Sequence, residues 1–249
     1  MSIHSWEETK LWAALGIQKG DTAEGVRTFL KQTMPGIETV LRAGGTSPLD
    51  FTLHDSEHSF RVAERMVEIV PADVLENLCD YELALLLLSA YLHDIGMTPE
   101  RKKVSSHYHY LLTGQDGLSD AEKAAFQKWL DDEGHAVTLP LSEETPLQDR
   151  IQLADELITY YCRYRHNDWS KDWIRGNLKG KSLGNYSDWI DDLILLCQSH
   201  HYGKDRLITD EFDPRPVGSL PLRLSTCATL RPCCGLRTSW NSIRNALRT

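Results

Sequence analysis

The chain has 249 residues, 41% hydrophobic and 25% charged, which is ordinary for a globular protein and long enough for one large domain. Its 27 lysines and arginines against 36 aspartates and glutamates leave a net charge of −9, so a basic nucleic-acid-binding face is not expected. The longest apolar run, 83–88, is too short to cross a bilayer and segment 1–10 is polar and acidic, so the expectation is a cytoplasmic protein with no membrane partner.

Taken in chain order, apolar spacing predicts helices over 6–15 and 21–34, the second capped by Asp21 or Thr22. Pro35-Gly36 is expected to break the chain, and 43–48 reads as a glycine-containing loop. Phe60, Val62, Ala63, Met66, Val67 and Val70 recur at helical spacing over 56–70. Segment 82–95 is apolar nearly all round and reads as the central buried helix, with Gly96 placed to end it. Helices with a solvated face are expected over 99–112 and 119–132. A loop follows over 136–145, and 135–140 is the one strand-like stretch. Long helices are expected over 147–165 and 187–201, then a polar connection over 203–217 and an apolar helix over 220–230. The fold class predicted is all-α, a bundle of roughly eight to ten helices.

Six cysteines do not make a disulfide framework. Cys79, Cys162, Cys197 and Cys227 sit singly among apolar residues, as reduced core cysteines do. Cys233 and Cys234 are adjacent and have no second pair, which does not suit zinc.

Ten histidines are present, and their placement carries the information. His54 and His58 lie at the start of one predicted helix, His93-Asp94 ends the central one, His166 ends the next long one, and His200-His201 ends the one after. His4, His107, His109 and His135 read as ordinary surface or core histidines. His93-Asp94 does not. An imidazole and a carboxylate at the end of so apolar a helix are costly to bury unpaired. A divalent cation satisfies both. Neighbouring helix positions point about 100° apart, so the pair can grip one ion or reach two.

His58-Ser59 with Val62, followed by Leu88-Ser89-Ala90-Tyr91-Leu92-His93-Asp94-Ile95-Gly96, resembles the ordered motifs of the HD superfamily of metal-dependent phosphohydrolases. The resemblance implies a helical extension over 1–48, an HD domain over 49–230 with its metal site between helix ends, and an atypical tail over 231–249. It implies hydrolysis of a phosphoester, often a nucleotide or cyclic nucleotide, with His93 and Asp94 at the catalytic centre. His58, His93 and Asp94 are the expected ligands of a first ion. His166 with His200 or His201 are those of a second, with Asp94 able to bridge and His54 open as an extra ligand. Manganese, iron, zinc, nickel, cobalt and magnesium are not distinguishable from the sequence. A small phosphorylated substrate needs local positive charge, for which Arg61, Lys102 and Arg165 are candidates, with Lys103 and Arg163 nearby. Met97 stands where some relatives carry a lysine after HD-I-G.

The family pattern closes with a metal-binding aspartate in a context like L-R-x-A-D-x-x-D. Segment 222–230 reads like the approach to it, but Pro232 and Gly235 interrupt, and no acidic residue follows Asp213. Segment 231–249 is basic in an otherwise acidic chain, and codons can be chosen for it whose shifted frame spells the missing motif. A frameshift near Leu230 in a longer parent gene is therefore hypothesised, and the resemblance implies that such a parent can continue into further domains, such as an Hsp90-like ATPase. HD domains of this kind occur in bacterial conflict systems. Two functional expectations follow: a working phosphohydrolase, or a catalytically weak HD domain that binds metal or nucleotide as a regulatory module. A plain helical interaction module with incidental histidines is the third.

Overall fold

The computed structural model describes residues 4–42, 55–98, 101–114, 117–135 and 137–207. Its α-helices are α1 (Lys10–Ile17), α2 (Asp21–Arg42), α3 (Ser56–Ile69), α4 (Ala72–Asn77), α5 (Asp80–Leu92), α6 (Arg101–Thr113), α7 (Asp120–Asp132), α8 (Leu147–Leu178), α9 (Trp189–Gln198) and α10 (Lys204–Leu207). Short polar residues start several of them by accepting a backbone N–H: Thr9 for α1, Asp55 for α3, Ser119 for α7. No strand occurs among the described residues, and 135 and 137–140 form none. The fold is an all-α bundle. No described helix is long and apolar enough to cross a membrane.

Helix α5 is buried from Glu82 to Leu92. A helix apolar on every side must be surrounded, and α1, α2, α3 and α9 pack around it. The N-terminal helices also clasp α3. Lys10 donates from its backbone and from its ammonium to Glu64, each at 2.8 Å, and the His4 ring stacks on Phe60 at 4.6 Å.

Two sequence expectations fail here for the same reason. Pro35 does not break the chain: α2 runs through it to Arg42. An interior proline costs a helix about 3 kcal/mol. The buried stripe of Phe29, Leu30, Thr33, Met34, Ile37 and Leu41 continues past it, and that packing offsets the loss. Asp21 stands inside the first turn, where its charge suits the helix dipole, rather than ahead of it as a cap. Likewise α8 does not stop at Arg165. It continues for 32 residues in all, because Trp169, Ile174 and Leu178 keep an inward face through a polar stretch. His166 is therefore in the interior of a helix, not at its end.

Helix α8 serves two cores. Ala154 to Trp169 pack with Val104, Leu111, Phe126, Trp129 and Leu130 of α6 and α7. Ile174 and Leu178 belong to the core around α5. Within the α6–α8 core lies a buried polar cluster. The His107 Nδ1 donates to Lys103 O at 2.8 Å, its Nε2 lies 3.5 Å from Glu122 Oε1, and Tyr161 donates its hydroxyl to the same oxygen at 2.9 Å. The imidazole facing it, joined by the Tyr161 hydroxyl and opposed by burial, lowers the Glu122 carboxyl to about 2. A lowered carboxyl contributes stability above its ordinary value of 4.5 and loses it as pH falls towards 2. Glu122→Gln is expected to cost about 1–3 kcal/mol at neutral pH. In urea unfolding the gap from wild type should close across that pH window, and a gap that stays constant would exclude a charged Glu122.

Candidate metal centre

The site is built at the end of α5. His93 still has helical angles, φ −56° and ψ −37°, while Asp94 at φ −115° and ψ 16° leaves the helix for a 3₁₀ turn over Ile95–Met97. Gly96 does not end α5 in a left-handed conformation as expected; the glycines with positive φ are elsewhere. It is required for close approach. A Cβ at residue 96 would lie 2.1 Å from His166 O and 2.7 Å from Ser170 N, so α8 rests backbone-to-backbone on the turn. The Gly96 N–H donates to Ser170 Oγ at 2.9 Å, and that hydroxyl donates to His93 O at 3.0 Å. This contact brings His166 beside Asp94.

Six side chains converge. His93 Nε2 is 3.1 Å from Asp94 Oδ2; His166 Nε2 is 3.3 Å and His200 Nε2 3.5 Å from Asp94 Oδ1. His201 Nε2 lies 2.9 Å from His166 Nε2. The His58 ring centroid is 5.7 Å from that of His93, and His93 is 5.5 Å from His200. Ligand atoms of His58, His93 and Asp94 all lie within 4.8 Å of one another, as do those of His166, His200 and His201. His93 and His166 are buried, Asp94 and His200 nearly so, and His201 is at the surface.

The ring orientations say what the cluster suits. His93, His166 and His200 each turn Nδ1 to the carbonyl three residues back, Ala90, Arg163 and Cys197. Those carbonyls fix the proton on Nδ1 and leave the Nε2 lone pair pointing inward. Three lone pairs aimed at a carboxylate repel unless a cation sits between, and a divalent ion with imidazole and carboxylate ligands fits that donor set. Burial holds His200 neutral, with its pKa down to about 3, the form in which imidazole coordinates. Burial also disfavours charge on His93 and Asp94, but their contact prevails: His93 is raised, and Asp94 is held well below the carboxylate range by His93 and His166.

The other expected site residues are distributed differently. Arg61 and Arg163 are exposed. Arg165 is half-buried, with Nε 3.8 Å from Asp168, and its charge acts on Glu122 and Tyr161 in the α6–α8 core. Lys103 lies with its ammonium 4.4 Å from the Trp169 ring centroid, one turn beyond His166 on α8. His54, the Lys102 side chain and the predicted helix over 220–230 lie outside the described residues, and the terminal aspartate of the family pattern is missing from the sequence. The site between helix ends holds for His58, His93-Asp94 and His200-His201, and not for His166. Ser170 escaped the sequence reading; extending α8 one turn past His166 is the signal that finds it.

Gly96→Ala is expected to lower stability by at least about 2 kcal/mol, since backbone of α8 must move; thermal unfolding of the metal-free chain measures it. In the same metal-free chain, ring-nitrogen NMR should find His200 neutral as its Nδ1–H tautomer down to about pH 4, far below the ordinary histidine value near 6.5. Titration of His200 near pH 6 would contradict its burial.

Compared with known proteins, none of the curated proteins and none of the solved structures matches the chain. The HD-CE family matches residues 49–231, most of the sequence and all six converging side chains. The chain therefore belongs to the HD-CE family, as an HD-type domain preceded by two helices that share its core.

Proposed function

We propose that the protein is a metal-dependent phosphohydrolase that cleaves a phosphoester of a small nucleotide or cyclic nucleotide. The observation that carries this reading is the inward convergence of the histidine Nε2 atoms on Asp94. His58, His93 and Asp94 would hold one divalent ion and His166, His200 and His201 a second. Asp94 offers Oδ2 to the first group and Oδ1 to the second, so a single carboxylate can span both. Bound divalent ions supply Lewis acidity, making water a nucleophile near neutral pH and offsetting phosphate charge. The backbone carbonyls behind the rings fix the neutral tautomer with its proton on Nδ1 and its lone pair on Nε2, the atom that would ligate. His201, at the exposed edge, is the imidazole best placed to exchange a proton with solvent. Lys103, its ammonium over the Trp169 ring one turn beyond His166, is a cation we assign to the substrate phosphate, beside Arg61 and Arg165. The acidic composition and the buried thiols of Cys162 and Cys197 suit the cytoplasm.

One observation favours a second reading. Asp94 is the sole carboxylate of the two described ligand groups, and the sequence has no acidic residue after Asp213. A site short of one carboxylate suits a domain that binds metal or nucleotide and turns over little.

The test is metal analysis of chelator-stripped, manganese-reloaded protein together with hydrolysis of bis(p-nitrophenyl) phosphate. Asp94→Ala is expected to lose both ions and to reduce turnover at least about 100-fold, while His201→Ala should weaken mainly the second ion. Manganese bound without turnover favours the regulatory reading. Wild-type protein that takes up no metal eliminates the phosphohydrolase and leaves only the nucleotide-binding form of the second reading.

A further inference from the structure

Ser170 has no part in the ligand set, yet it is the most constrained polar group around it. It is fully buried, and it sits one turn after His166 on the same face of α8. A serine inside a helix ordinarily returns its hydroxyl proton to the carbonyl one turn back. Here the proton goes to His93 O, 77 residues away in sequence, and the oxygen accepts from Gly96 N–H. The two partners flank Asp94 on either side. His93 O is one of the carbonyls left over at the end of α5, and the Gly96 amide is enclosed under α8, so without Ser170 both would be buried and unmet.

We propose that Ser170 is a positioning residue for the metal centre: one hydroxyl from the helix that carries His166 grips the turn that carries Asp94, and so sets the spacing between the two ligand groups. The inference rests on the metal-binding reading above and adds to it. Two independent geometric facts support it. The close approach that excludes a Cβ at Gly96 leaves no slack between turn and helix. The hydroxyl then fixes the register along α8, which van der Waals contact alone would leave free to slide. The 3.3 Å separation of His166 Nε2 from Asp94 Oδ1 follows from that register.

The test uses the full chain with Ser170→Ala and Ser170→Cys, the second keeping similar size with only a weak donor. Two measurements are made: manganese affinity by titration calorimetry, and hydrogen exchange of the Gly96 amide in metal-free protein. Both variants are expected to bind manganese about 10- to 100-fold more weakly, and to exchange the Gly96 amide faster than wild type. Ser170→Cys that binds manganese as tightly as wild type would overturn the proposal, leaving Ser170 as packing alone. That variant also decides the matter if Ser170→Ala does not fold. Slow wild-type exchange of Gly96 without any manganese uptake would confirm the clasp but defeat the metal reading, and the proposal with it.

Discussion

An ionised carboxylate enclosed among imidazoles is expensive to bury, and Asp94 is where this bundle concentrates that expense. Its oxygens are met by His93 from the end of α5, His166 from the middle of α8 and His200 from just beyond α9. None of these contacts is local except the first. The ligand set around the carboxylate is therefore complete only if three helices arrive together, and each arrives for an apolar reason. Helix α5 is buried on all sides, α9 packs on it through Leu193 and Ile194, and α8 is anchored at both ends in separate cores. Hydrophobic packing builds the frame, and the polar centre occupies the place where the frame closes.

What was legible in the sequence is what short stretches encode. The apolar run ending in His93-Asp94 announces both its burial and its chemistry within a few residues. The helices expected over 56–70 and 119–132 match α3 and α7 to within one residue at each end. Legibility fails where a distant surface decides. Pro35 reads as a breaker because its own backbone disfavours helix; the stripe that overrides it exists only against α5. The polar stretch after Arg165 hides a helix whose inward face is defined by two cores at once. Gly96 reads as a helix terminator, whereas its lack of a side chain answers to a backbone some 70 positions away, at His166 and Ser170. The candidate centre was thus readable as a set of residue types, and its supporting contacts were not.

The α6–α8 core adds a second polar cluster that no motif announces. His107 donates from Nδ1 to Lys103 O and turns Nε2 towards Glu122, which Tyr161 also meets. It contributes no ligand, and the charge of Arg165 acts on Glu122 within it. Its role is mechanical. By tying α6 and α7 to the N-terminal half of α8, it helps fix the rod on which His166 is mounted.

The two N-terminal helices have a practical corollary. The family match begins at residue 49, yet α1 and α2 cover α5, and Lys10 and His4 are fastened to the helix that bears His58. Trimming a recombinant fragment to the family limits would strip a greasy flank from the molecule. Such a fragment is a poor choice for purification, because sticky surface of that kind drives self-association in solution.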